Sequence, residues 1–246
     1  MTLTNNIITP AEAVQKQGAK VLIYGMSGAG KTYSIKTCPG RVLVISAEAG
    51  LLSIKDATNV SVIEVNTAEG VHNVYNELLK GDLKGQFDTV CLDSLSEISE
   101  LLLIAEKAKH KDPRMAYGQV QDTVKRLMRD FRDLEMHVVF LCKEDKVNND
   151  GVFESCPKLV GTKLGQEAPH YFDEVLALRV IDDTDADGNR IQARWFQTRV
   201  GNGYIAKDRS RKLDAFEEPD LTKLIEKLGF ETTSQPVQPT PQEVTA

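Results

Sequence analysis

Eight consecutive residues, Gly25-Met26-Ser27-Gly28-Ala29-Gly30-Lys31-Thr32, spell the pattern G-x-x-x-x-G-K-T. Glycines at 25, 28 and 30 admit positive φ and remove side-chain bulk, so backbone N–H groups can converge on phosphate oxygens. Lys31 brings a point charge to β- and γ-phosphates, and Thr32 offers a hydroxyl to Mg²⁺. The segment from Gly25 to Tyr33, with Met26, Ser27 and Ala29 serving through their backbone, is the candidate nucleotide site, and ATP with Mg²⁺ the candidate ligand. An apolar strand-like run at 20–24 leads into the loop. A helix-capable run at 32–37 follows, and its dipole adds to the attraction for phosphate.

Two carboxylates stand at strand ends where they could serve that loop. Phe87-Asp88-Thr89-Val90-Cys91-Leu92-Asp93 is an apolar run closed by an aspartate, the Walker B pattern. Asp93 is a candidate Mg²⁺ ligand, directly or through water; the other reading is a cap for a helix starting near Ser94. Val42-Leu43-Val44-Ile45-Ser46-Ala47-Glu48 is a second strand, with Glu48 just past its end. A carboxylate there could orient and activate an attacking water, or be an exposed turn residue.

The elements that would position these groups alternate. Thr9-Pro10-Ala11-Glu12 is a capping box that opens a short helix ending at Gly18. Strands are expected at 20–24, 41–46, 60–65, 87–92, 137–142 and 174–181, with 60–65 near an edge and 190–198 hairpin-linked to 174–181. Helices are expected at 68–79 and 221–228. Two more carry the stripes Leu95, Ile98, Leu102, Ala105 and Val120, Val124, Leu127, Phe131, Leu134. This is an α/β pattern: a mostly parallel twisted sheet with helices on both faces and an antiparallel C-terminal extension. One domain is expected over 1–230, and a disordered tail over 231–246, which is rich in Pro, Gln and Thr.

Composition narrows the class. The formal net charge of −6 means that any contact with nucleic acid must come from a local basic patch. No apolar run approaches about 18 residues, so no membrane span is expected. The start lacks a signal-peptide pattern. Cys38, Cys91, Cys142 and Cys156 form no C-x-x-C pair and read as reduced packing residues, which suggests a cytoplasmic protein.

Ala47-Glu48-x-x-Leu51 after a strand, followed by an apolar strand ending Leu92-Asp93-Ser94, resembles the ATPase core of RecA-type recombinases. The resemblance implies that Glu48 is the catalytic base and that Asp93 serves Mg²⁺. It implies strand order 5-1-4-3-2, with a strand between the two Walker strands. It also implies a polar sensor after the next strand, where this chain has Lys143 and Glu144. The run Ala116-Tyr117-Gly118-Gln119-Val120 before a long helix, and the run Trp195-Phe196-Gln197-Thr198-Arg199 followed by Lys207-Asp208-Arg209, look like the phage-encoded, RecA-like nucleotide-binding proteins, which include single-strand annealing recombinases. If phage-encoded, the protein would work in the host-cell cytoplasm. Cations supplied by a neighbouring subunit complete such sites, and Arg199, Lys207 and Arg209 are the candidates.

That resemblance implies single-stranded DNA, further copies of the chain and a single-strand DNA-binding protein as partners. Two segments suit DNA: residues 107–114, with Lys107, Lys109, Lys111 and Arg114, and residues 143–166, read as a long loop with Lys146, Phe153, Lys158 and Lys163. A solvated helix end and an aromatic folded back on the core are the plain alternatives. Asp183-x-Asp185-x-Asp187-Gly188 copies the start of a calcium loop, but Arg194 occupies its twelfth position and a hairpin turn is expected. The expected function is a Mg²⁺-dependent ATPase that anneals or exchanges DNA strands. A P-loop phosphotransferase and a nucleotide-gated helicase loader or scaffold are the alternatives.

Overall fold

The computed structural model describes residues 7–48, 50–149, 151–184 and 188–232. In chain order its elements are α1 (Pro10–Gln17), β1 (Lys20–Gly25), α2 (Lys31–Ser34), β2 (Val42–Ser46), β3 (Val60–Glu64), α3 (Ala68–Lys80) and β4 (Thr89–Asp93). Then come α4 (Leu95–Lys109), α5 (Pro113–Arg132), β5 (His137–Asn149), β6 (Val152–Pro157), α6 (Thr162–Glu167) and β7 (Glu174–Thr184). The chain closes with β8 (Arg190–Gln197), β9 (Lys207–Asp208), β10 (Phe216–Glu217) and α7 (Leu221–Leu228). Residues 233–246, most of the expected tail, lie outside the described residues, as do Asp185 and Asp187 of the hairpin turn.

The sheet order is β10-β8-β7-β1-β5-β4-β2-β3, with β6 on β5 and β9 on β7. From β7 to β3 every neighbour is parallel, while β8, β9 and β10 join antiparallel. The five strands β7-β1-β5-β4-β2 follow the expected 5-1-4-3-2 order, and β3 adds an edge beyond them. Near-continuous apolar runs make such strands because both faces are covered. In β1, Leu22 and Tyr24 enter one core with Val74 of α3, Ile98 of α4 and Phe131 of α5, while Val21 and Ile23 enter the other with Leu224 and Ile225 of α7.

Three expectations are corrected. Residues 143–166 are not a long loop: β5 runs on to Asn149 and turns back at Gly151, φ 89°, into β6, with Glu144 opposite Pro157 and Asn149 opposite Val152. No polar–apolar alternation marks residues 144–149 in the sequence; pairing with β6 is what makes them extended. Ala116-Tyr117-Gly118-Gln119-Val120 does not precede a helix but lies inside α5, which starts earlier because Asp112 caps it and Pro113 fits its first turn. The stripe of α4 ends not at Ala105, which is exposed, but at the buried Glu106. The four cysteines are free and buried, and no helix among the described residues is long and apolar enough to cross a membrane.

Candidate functional site

β1 is buried throughout between β5 and β7 and delivers the glycine loop to the carboxyl edge of the sheet. The glycines act for different reasons. Gly28 and Gly30 take φ of 77° and 103°, which L side chains resist. Gly25 is needed for space instead: a Cβ there would sit 2.6 Å from the carbonyl oxygen of Leu178. The expected helix is only a four-residue α2 followed by a 3-10 turn at Ile35–Thr37, so its dipole is small and the loop's own N–H groups carry the phosphate chemistry.

The side chains singled out on three separate strands meet here. Thr32 Oγ1 donates to Asp93 Oδ2 at 2.7 Å. Lys31 Nζ donates to the carbonyls of Gly25 and Met26, both at 2.9 Å. Ser94, joined to Asp93 by a cis peptide, donates its hydroxyl to Glu48 Oε1, and Ser46 Oγ donates to the Glu48 carbonyl at 2.7 Å. The register explains the convergence: Ser46 lies opposite Asp93, and Asp93 opposite Leu141, so β2 and β4 end level with one another while β5 runs on past them. Lys143 stands two residues further along β5. Its Nζ lies 2.6 Å from Glu97 Oε2 and 3.5 Å from Glu48 Oε1, and its N–H donates to Ser96 Oγ at 2.9 Å.

The electrostatics are those of a site with both signs held close. Burial raises the pKa of Asp93, the Thr32 hydrogen bond opposes that, and Glu48 adds to it. Burial lowers the pKa of Lys31, while the charges of Glu48 and Asp93 support its ammonium. For Lys143, partial burial pulls the pKa down but is outweighed by the Glu97 hydrogen bond and the neighbouring carboxylates, so it is held above the ordinary lysine value. A cavity of about 490 Å³ opens beside the loop, lined by Ser27, Lys31, Glu48, Lys143, Lys146 and Lys158 among others. That is the size range of small-ligand sites.

Asp93 and Thr32 fit Mg²⁺ chemically. They present a buried carboxylate and a hydroxyl side by side, and Mg²⁺ takes one or two protein oxygens with water and phosphate oxygens completing its shell. Among the described residues no cluster of three or more His, Cys, Asp and Glu could cage a metal by itself.

The remaining candidates are scattered. Lys146 and Lys158 belong to the cavity beside the loop, not to a separate surface. Phe153 is 64% exposed on β6 rather than folded back on the core, and Lys163 is exposed on α6. Lys107, Lys109, Lys111 and Arg114 form a basic corner between α4 and α5, a helix length of about 22 Å from Asp93 at 1.5 Å per residue. Within that corner Lys107 stacks over Tyr117 and Lys109 pairs with Glu106 at 2.7 Å.

The three cations assigned to a neighbouring subunit are bonded within their own chain. Lys207 Nζ donates to Pro169 and Phe172 carbonyls at 3.0 and 2.6 Å, Arg209 pairs with Asp173 at 2.6 Å, and Arg199 donates to the Leu213 carbonyl at 2.7 Å. β9, which bears Lys207, pairs with the amino end of β7, the edge opposite the glycine loop.

Two residues at the site escaped the sequence reading. Glu97, which holds Lys143, had a signal: Ser94-Leu95-Ser96-Glu97 is a capping-box pattern at the start of α4. Arg194 of β8, whose Nε donates to the Ala29 carbonyl at 3.1 Å, had none.

No curated protein matches the chain. The family model described as "AAA domain" matches residues 17–210, which take in the glycine loop, Glu48, Asp93 and Lys143, and the chain therefore belongs to this AAA-domain family of P-loop ATPases.

Proposed function

We propose that the protein is a Mg²⁺-dependent ATPase of RecA-like, phage-encoded type that binds single-stranded DNA and promotes annealing or strand exchange as a homo-oligomer. The observation that carries the reading is the linked set at one rim of the sheet: Thr32 bonded to Asp93 at 2.7 Å, with Glu48 tied to the adjoining Ser94.

In this reading Lys31 exchanges the carbonyls of Gly25 and Met26 for the β- and γ-phosphate oxygens of ATP. Asp93 and Thr32 hold the metal, which when bound neutralises charge on the phosphates. Glu48 accepts a proton from the attacking water as its oxygen bonds to the γ-phosphorus and the bond to the bridging oxygen breaks, releasing ADP. Lys143, held by Glu97 and 3.5 Å from Glu48, offers a cation beside the γ-phosphate.

The DNA part rests on the β5–β6 hairpin and the α4–α5 corner. The hairpin carries exposed Val152 and Phe153, and its base supplies Glu144, Asp145 and Lys146 to the nucleotide cavity. A stacking aromatic and a lysine on an element that borders the nucleotide suit binding gated by nucleotide state. Lys107, Lys111 and Arg114 add a basic surface against an overall charge of −6.

The test is filter binding of labelled oligonucleotides with ATP, ADP, a nonhydrolysable ATP analogue or no nucleotide, beside fluorescent-nucleotide titration of wild type and Lys31→Ala. We expect salt-sensitive DNA binding that depends on nucleotide, and nucleotide affinity reduced at least about tenfold by Lys31→Ala. Absence of DNA binding in every nucleotide state would reject the recombination role and leave the ATPase.

A further inference from the structure

Apart from Lys31 and Thr32 of the loop itself, every group assigned to the metal and the γ-phosphate comes from one side of β1: Asp93 from β4, Glu48 from the end of β2 and Lys143 from β5. The Thr32 hydroxyl is bonded toward that side. A polyphosphate with its terminal group there must run across the loop toward the other side, where β7 and β8 lie.

β8 reaches the loop on that other side. Leu178 pairs with Phe196 at its foot, both buried, and the next pair on the same face is Val180 with Arg194. These two have left the core: Val180 is 40% exposed, and Arg194 is exposed too. The Arg194 side chain lies across the loop itself. Its Nε donates to the Ala29 carbonyl at 3.1 Å, and its Cδ and Nε each stand 3.5 Å from where a Cβ of Gly30 would be.

One N–H is used in that bond. The two terminal nitrogens of the guanidinium have no acceptor among the described residues. A charged fork with unused donors, tethered beside N–H groups that receive phosphate, matches a phosphate oxygen better than it matches anything in the fold.

We propose that Arg194 is a phosphate-binding residue supplied by the same chain. It grips the α/β-diphosphate part of a bound nucleotide from the side of the loop opposite Asp93. The proposal rests on the reading that the loop binds nucleoside di- and triphosphates. It adds a contact common to ADP and ATP, in contrast to Glu48 and Lys143, which act at the γ-phosphate.

The experiment is titration of fluorescent ADP and fluorescent ATP analogue into wild type, Arg194→Ala, Arg194→Lys and Arg194→Gln, with unfolding midpoints measured without nucleotide. Arg194→Ala should weaken both ligands by the same factor, about tenfold, as expected for loss of a charge-assisted contact. Arg194→Lys should recover part of the loss. Arg194→Gln keeps a donor for the Ala29 carbonyl but has no charge, and should recover none.

Wild-type affinity in Arg194→Gln would reduce Arg194 to a tether of the loop and overturn the proposal. Wild-type affinity in Arg194→Ala would remove it from the site altogether, and a loss confined to the ATP analogue would move it to the γ-phosphate end; both overturn the proposal. A wild-type protein that binds neither ligand would overturn the nucleotide reading together with this one.

Discussion

Ionisable side chains gather at both ends of the same parallel strands, and the two ends satisfy them in opposite ways. At the amino end Lys20 is 3% exposed and gives its ammonium to the carbonyls of Gln17, Leu134 and Met136. His137 accepts the Ala19 N–H at 3.1 Å, and Glu174, 1% exposed, accepts from Ser210 N–H beside Asp208. Burial pulls Lys20 down to about 7 and His137 to about 4, and pushes Glu174 up to about 8. At the carboxyl end Lys31 is bonded to loop carbonyls, Asp93 to Thr32, Glu48 to Ser94 and Lys143 to Glu97, beside an open cavity. A buried ammonium saturated by fixed backbone carbonyls, as at Lys20, builds the fold, because removing it leaves unpaired polar atoms behind. A charge whose partners a ligand can replace makes a site.

The sharpest way to break this contrast is at the carboxyl end. Glu48→Gln should lower ATP hydrolysis by about two to four decades, the usual scale for losing a positioned base, and leave nucleotide affinity near wild type. Steady-state hydrolysis and titration on the same preparation measure both. Normal turnover in that variant would remove Glu48 from the chemistry, and the carboxyl end would then differ from the amino end only in exposure.

At the amino end the expectation is reversed. Lys20→Met strips three carbonyls, that of Leu134 buried and those of Gln17 and Met136 partly so, of their donor and should cost about 2–3 kcal/mol in denaturant unfolding. ADP affinity, measured where the variant is folded, should stay within about twofold, well inside the tenfold that 1.4 kcal/mol represents. Affinity that falls in step with stability would show that the two ends are not separable.

The smallest effect is a pH dependence contributed by Glu174 at the amino end. The folded pKa of Glu174 is raised, to about 8 from the ordinary glutamate value of 4.5, first by burial and then by the charge of Asp208, with Asp173 adding and the Ser210 N–H opposing. The native state therefore binds more protons than the unfolded one between those values. Its stabilising contribution is complete below about pH 4.5 and is lost as pH rises through 8. Glu174→Gln should flatten that fall, read as unfolding midpoints from pH 5 to 8 at fixed ionic strength. An unchanged slope in the variant would assign the pH dependence to other groups.

Much of the scaffold was legible because it is encoded locally. The capping box at Thr9 and Glu12, the glycine at 18, the strands expected at 41–46 and 87–92, which form β2 and β4, and the helix at 221–228 each depend on residues within a few positions of one another. The β5–β6 hairpin was missed because its length and glycines resemble a loop, and only pairing with a second strand makes residues 144–149 extended. The bonds of Lys207 to the carbonyls of Pro169, in the 3-10 turn after α6, and of Phe172 just beyond it are likewise not revealed by its sequence neighbourhood.

The sequence by itself determined that a glycine loop follows a strand buried on both faces, and that carboxylates end two further strands. Backbone freedom and apolar periodicity are properties of short segments. Only the tertiary structure decided which groups these residues meet. Arg194 reaches Ala29 across 165 positions, and Lys143 is held by Glu97 across 46. Hydrogen bonds and charge interactions depend on distance through space, and the order of strands in the sheet, not the order of residues in the chain, sets that distance.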